Sequence, residues 1–227
     1  MAIYPETYSS NMLGARHVVR YLLNRPGIAS SLVSDSYGPN DFFLHFDESH
    51  VPERRRSRDM FLPVVDRATY HPPAAGTTRN GFVICSRRKP DKPLVLPQWM
   101  TPLSLVVPHR PKTHEELAEL YRASRALIAF DRTSAIYEAL CCGCPIVALS
   151  TDSFNQKTYQ PRFGGAGMTW TQDEAGLALA SADVQRFIDV YHRIESDLPD
   201  KISRTFTDIL AECAARNRST DFTPRTA

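Results

Sequence analysis

Apolar positions along the chain fall into two patterns. Short uninterrupted runs stand at Gly81–Ser86 (GFVICS), Leu103–Val107 (LSLVV), Ala126–Phe130 and Pro145–Leu149. Each has the length and make-up of a strand buried on both faces. Between them apolar residues recur at helical spacing. In PKTHEELAELYRAS, Thr113 with Glu116 forms a capping box, which starts a helix at about His114 with Leu117, Leu120 and Tyr121 as its apolar face. A second helix is expected over Ser134–Cys142, ended by Gly143 and Pro145. Continuously apolar strands alternating with helices predict an α/β fold with a parallel sheet.

The front of the chain is read the same way. Ala2–Tyr4 reads as the tail of a strand and Asp41–Phe46 as another. Between them Leu13, Val18, Val19, Leu22 and Leu23 fit one face of a helix, stopped by Asn24-Arg25-Pro26-Gly27. This predicts a β-α-β unit. Residues 51–79 read as a linker. From Asp173 to about Arg216 the pattern predicts two or three helices, and the tail NRSTDFTPRTA is expected to be disordered. The domains expected are a partial N-terminal unit with its linker over 1–76, and a Rossmann-like domain with a helical C-terminal tail over 77–227.

Composition narrows the class. Of 227 residues, 42% are hydrophobic, enough for a real core, and the net charge of +2 points to no particular polyanionic partner. No run approaches the roughly 18 apolar residues of a membrane span. The start, MAIYPETYSS, has neither the basic nor the apolar segment of a signal peptide. Five cysteines, three of them at Cys141, Cys142 and Cys144, do not form a disulfide framework. A cytoplasmic location is therefore expected, with at most peripheral contact with the inner face of the membrane.

The stretch IAFDRTSAIYEALCCGCPIVAL concentrates the candidate chemistry. Asp131, Arg132, Thr133 and Ser134 make a polar turn between an apolar strand and a helix. In parallel α/β sheets ligands bind beyond the carboxyl ends of the strands. Backbone N–H groups and the two hydroxyls there suit a phosphate or diphosphate. Glu138, one helical turn deeper, suits the paired hydroxyls of a ribose. The same residues also fit a plain N-cap followed by a solvated glutamate, and the pattern leaves both readings open.

The stretch AELYRASRALIAFDRTSAIYEALCCGCPIVALS resembles the donor-binding half of a GT-B glycosyltransferase. The resemblance rests on Leu120-Tyr121, Ala123, Glu138-Ala139 and Gly143-Cys144-Pro145-Ile146-Val147. It implies that Glu138 holds the donor ribose. The acidic partner usual in that family falls at Phe130, so Asp131, one residue on, is the carboxylate placed to stand in for it. Arg87 and Lys92, in CSRRKPDKP, match the family's pair of diphosphate-binding cations. His109 and Arg110 fall where the family cradles the nucleotide base. IYPETYSSNMLGARHVVRYLLNRPG resembles a segment of bacterial polysaccharide-type members, with Met12 in place of a proline. By that resemblance Glu6 faces the acceptor, as a contact or as the catalytic base; a solvated turn glutamate is the other reading.

The fold implied is a GT-B-like donor-binding domain with a partial N-terminal β-α-β unit and C-terminal helices. The activity implied is transfer of a sugar from a nucleotide-diphosphate donor to a glycan or lipid-linked acceptor. Arg87, Lys92, Thr133 and Ser134 would bind the diphosphate, with no cofactor and no metal. The partners implied are the nucleotide sugar, the acceptor, and a partner chain or oligomer completing the N-terminal unit. A sugar-nucleotide epimerase and a non-catalytic or partner-dependent donor-binding module remain as alternatives.

Other motifs have plainer readings. The cysteine cluster has no second cluster to complete a zinc site and reads as small core residues. Glu53–Asp59 (ERRRSRD) is a basic run whose reading is a solvated linker, with nucleic-acid binding as the alternative. Gly164–Gly167 lacks the lysine of a phosphate loop and reads as a turn before a strand at Met168–Trp170.

Overall fold

The computed structural model describes residues 1–27, 37–53, 55–85, 93, 95–107, 111–152, 154–157 and 162–220. The chain forms two compact units, Met1–Pro63 with Glu195–Ala227, and Val64–Ile194. Each is built on a parallel sheet, so the protein is an α/β protein of Rossmann-like type.

In the second unit the strands are β5 (Phe82–Cys85), β6 (Leu103–Val106), β7 (Ala126–Ala129), β8 (Ile146–Ala148) and β9 (Met168–Thr169), in the order β6-β5-β7-β8-β9. Every pairing is parallel. All four predicted apolar runs are strands, and β5, β7 and β8 are buried along their whole length. One face packs Phe82, Ile84, Ile128, Val147 and Leu149 with Met100 and Leu177. Two helices alternate with the strands, α1 (His114–Ala123) and α2 (Ala135–Cys141). The capping box is present: the Thr113 hydroxyl accepts the Glu116 N–H at 3.1 Å. Gly143 takes the left-handed conformation expected of the α2 terminator, at φ 69°. The Gly164–Gly167 turn leads into β9 as read from sequence, and a Cβ on Gly167 would lie 2.5 Å from Leu140.

The first unit has β1 (Ala2–Pro5), β2 (Val18–Leu22), β3 (Phe42–His45) and the two-residue β4 (Arg58–Asp59), in that spatial order and all parallel. The expected β-α-β unit is corrected here. The apolar positions from Leu13 to Leu23 do not form a helix; their centre is strand β2. Leu13 is 77% and Leu23 44% exposed, so those two never belonged to a buried face. Val18, Val19 and Tyr21 favour extended backbone, and Arg20 is buried in the strand. Among the described residues of this front segment, the helical structure is one 3-10 turn, Glu48–His50.

Arg20 takes over the backbone pairing that a crossover helix would have made internally. Its guanidinium donates to the carbonyls of Tyr8 (2.7 Å), Ser9 (2.9 Å) and Ser10 (3.3 Å), and to Asp41 Oδ2 at 2.7 Å. The rings of Tyr4 and Tyr37 lie 5.1 and 5.4 Å away.

The linker reading of 51–79 is also revised. Met60, Phe61, Val65 and Tyr70 are buried. In the basic run Arg55 lies over Phe43, Arg58 pairs with Glu212, and Lys201 pairs with Asp59. Those side chains serve packing and ion pairing within the first unit. The C-terminal region is one helix, α3 (Glu174–Thr220), where two or three were expected. Pro199 removes one helical hydrogen bond but does not end the helix, and no glycine follows Gly176 to cap it. The expected disordered tail begins four residues inside this helix; its remainder, 221–227, lies outside the described residues. Ile209 and Cys213 of α3 pack with Val19, Phe42 and Leu44. Among the described residues no helix is long and apolar enough to cross a membrane.

A buried ion pair that loses one member leaves the other charge stranded. Asp41→Ala is therefore expected to cost about 3–5 kcal/mol in urea unfolding, against at most about 1 kcal/mol for Glu212→Ala in the exposed pair with Arg58.

Candidate active site at the carboxyl edge of the five-stranded sheet

In the five-stranded sheet the chain goes from β5 outward to β6, then crosses back over β5 to β7. This reversal makes the carboxyl ends of β5 and β7 the switch point, where open parallel sheets bind ligands. Ile84 pairs with Ile128, so Cys85 and Ala129 end side by side. Beyond Ala129 come buried Phe130 and then the turn Asp131–Ser134, whose first three residues are half-buried. Beyond Cys85 the sequence continues to Arg87 and Lys92. Those two, with His109 and Arg110, lie outside the described residues.

The local hydrogen bonds define the turn. The Thr133 hydroxyl accepts the Ala135 N–H at 3.3 Å, and the Thr133 carbonyl accepts the Ile136 N–H at 3.3 Å. Thr133 thus acts as the local cap. Ser134 makes no side-chain cap, and its hydroxyl is exposed at the edge. With seven residues, α2 is too short for its N-terminus to hold an anion alone. Any anion at this edge must be held by the side chains around it. Thr151, which sequence reasoning missed, closes the edge from the β8 side: its hydroxyl donates to the Phe130 carbonyl at 3.3 Å.

Glu138 is half-buried, one turn into α2. Its negative charge acts on Tyr121, whose phenol is pushed far above its usual range by burial first and by Glu138 second. The Tyr121 hydroxyl is fully buried and has no hydrogen-bond partner among the described residues. The pattern assigned Tyr121 to the apolar face of α1, which its ring fits, but no local signal marks its oxygen. Arg79 is another residue the sequence did not single out. It donates to the carbonyls of Tyr121 (3.1 Å), Ser124 (3.0 Å) and Cys142 (3.0 Å), closing the ends of both helices. A Cβ at position 143 would come within 2.9 Å of its guanidinium, so Gly143 serves both the turn and this contact.

Glu6 lies in the other unit. Its side chain is buried and accepts the Leu23 N–H at 3.1 Å, while its carbonyl accepts the Tyr37 hydroxyl at 2.6 Å. Among the described residues no group of three or more His, Cys, Asp and Glu could hold a metal ion. All five cysteines are buried, and none forms a disulfide. Burial pushes the thiols of Cys142 and Cys144 up to about 12. They pack as neutral groups, as the sequence reading has it.

Neither the family models nor the curated proteins compared with this chain match it.

Two outcomes follow from these groups. Tyr121→Phe removes an unpartnered buried hydroxyl and should raise unfolding stability by about 1 kcal/mol; a loss would reveal a partner for the oxygen. For the cysteines the unfolded thiols ionise near 9.0 and the folded ones near about 12. Above the lower value the unfolded chain binds fewer protons than the folded one. Their contribution to stability is therefore full below it and is lost as pH rises toward the upper value. The denaturation midpoint, followed from neutral to alkaline pH, should fall less in a Cys142→Ala, Cys144→Ala double variant.

Proposed function

We propose that the chain binds a nucleotide diphosphate at the carboxyl edge of its five-stranded sheet and acts as a glycosyltransferase. It would move a sugar from a nucleotide-sugar donor to a glycan or lipid-linked acceptor. The observation that carries this reading is the switch point. There the polar turn Asp131–Ser134 leaves the end of β7 beside the end of β5, whose continuation in sequence holds Arg87 and Lys92. Arg87 and Lys92 supply positive charge to the diphosphate, and the Ser134 hydroxyl supplies a donor. As the sugar departs, the leaving diphosphate gains charge, and fixed cations lower the barrier by neutralising it. Glu138, one turn deeper, accepts hydrogen bonds from the ribose hydroxyls.

A second reading is favoured by a different observation. β1 is an edge strand of the first sheet, with Ile3 51% exposed, and the connection after it exposes Met12 at 71% and Leu13 at 77%. Apolar groups at an open edge suit cover by another polypeptide segment. On this reading the chain is a donor-binding module that transfers sugar only with a partner.

Calorimetric titration with UDP, GDP, dTDP, ADP and CMP tests the donor site. One diphosphate should bind selectively, and Glu138→Ala should weaken it about tenfold, the cost of one charged hydrogen bond, without lowering stability. A folded sample that binds none of them overturns the reading. Selective binding without transfer to any acceptor favours the module.

A further inference from the structure

The five-stranded sheet ends on one side at β6, which among the described strands pairs with β5 alone. The Phe82 N–H donates to the Pro102 carbonyl at 2.8 Å, and Phe82 stands opposite Leu103 in the parallel register. Backbone groups alternate sides along a strand, so Pro102 and Ser104 address β5. The N–H and C=O groups of Leu103 and Leu105 are directed away from it, toward the open side. The side chains of these two residues are also bare. Leu103 is 44% and Leu105 56% exposed, and at a spacing of two they share one face of the strand. β5, the next strand in, is buried throughout.

Edge strands are ordinarily guarded against pairing with other chains by shortness, charge or proline. Among the described strands the other three edges are guarded. β4 is two residues long, both of them charged, and β9 is also two residues long. In β1 the Ala2 N–H donates to the His17 carbonyl, so the outward positions are Ile3 and Pro5, and Pro5 has no N–H. β6 has four residues, with neither charge nor proline. The neutral stretch is longer than the strand: residues 93–107, PLVLPQWMTPLSLVV, contain no Asp, Glu, Lys, Arg or His.

That neutrality indicates the partner. In a two-fold pairing a strand meets its own copy, so any charge on it lies close to the same charge. A segment without charge meets itself without repulsion, and it offers nothing to steer a charged partner. The outward backbone groups match by the same symmetry. With the two-fold axis at Ser104, Leu103 of one copy stands opposite Leu105 of the other. Each such pair exchanges both of its N–H···O=C bonds, and leucine packs on leucine across the seam.

We propose that β6 pairs antiparallel with β6 of a second copy of this chain, joining the two five-stranded sheets into one. The pairing does not depend on the donor reading and leaves the β1 edge unused.

Sedimentation of the full chain over a range of concentrations tests the proposal. A monomer–dimer equilibrium is expected. Leu105→Lys should weaken association about a hundredfold, because two-fold symmetry applies a roughly tenfold cost at each of two places. Leu105 is exposed, so this variant keeps its fold. Ile3→Lys, at the β1 edge, should leave the equilibrium unchanged. Ser104→Cys puts two thiols at a directly opposed, non-hydrogen-bonded position, the closer of the two kinds of antiparallel pair. Mild oxidation should then lock the dimer covalently, since the native cysteines are all buried and the new thiol is the accessible one. A chain that stays monomeric at every concentration overturns the proposal. So does a dimer that survives Leu105→Lys or is lost in Ile3→Lys. A dimer that Leu105→Lys breaks but Ser104→Cys fails to cross-link overturns the antiparallel register.

Discussion

Burial of parallel strands on both faces is the constraint from which most of this structure follows. Val83, Leu127, Ile128, Ile146, Val147 and Ala148 are fully buried, so the middle of the sheet has no room for a polar group. Polar chemistry is driven to the strand ends, where the chain must leave the core and pair its backbone with something else. The turn Asp131–Ser134 and the hydroxyl of Thr151 are the visible result at one edge. The helices that cover the sheet bring the same need at their own ends. Arg79 meets it by drawing three carbonyls from α1 and α2 onto one guanidinium.

The first unit meets the same demand by other means. Its β1–β2 connection contains no helix, so carbonyls that a helix would have paired internally are left over. Arg20 reaches back from β2 to take them. Placing a cation there has a desolvation cost, which Asp41 and the faces of Tyr4 and Tyr37 offset. Both units therefore use a guanidinium as a many-armed donor where the backbone alone cannot close its hydrogen bonds.

What was legible in the sequence is what the two-sided burial writes into it. β5, β7 and β8 are continuous apolar runs because neither face meets water, and the Thr113–Glu116 box is a local signal for a local bond. β2 was misread because its buried centre is Arg20, and a pattern of apolar and polar letters counts arginine as solvent-facing. α3 was misread as several helices because Pro199 looks like a stop, though a long helix tolerates the loss of one bond. In the candidate site, the turn after β7 was legible because a polar cluster directly after an apolar strand can only lie at a sheet edge. Arg79 and the stranded oxygen of Tyr121 were not, because their partners, or the lack of them, are set by residues far away in sequence.

The first unit is discontinuous in the chain, and this bears on how the protein is made. Val19, Phe42 and Leu44 are sealed by Ile209 and Cys213, which emerge from the ribosome long after Pro63. At synthesis rates of about 5–20 residues per second, the interval is on the order of ten to thirty seconds. During it the whole of the second unit is synthesised, while the first waits with part of its core uncovered. The nascent N-terminal segment is thus a natural client for chaperones, and a premature stop before Ile209 would leave that segment permanently unsealed while the rest of the molecule could still fold.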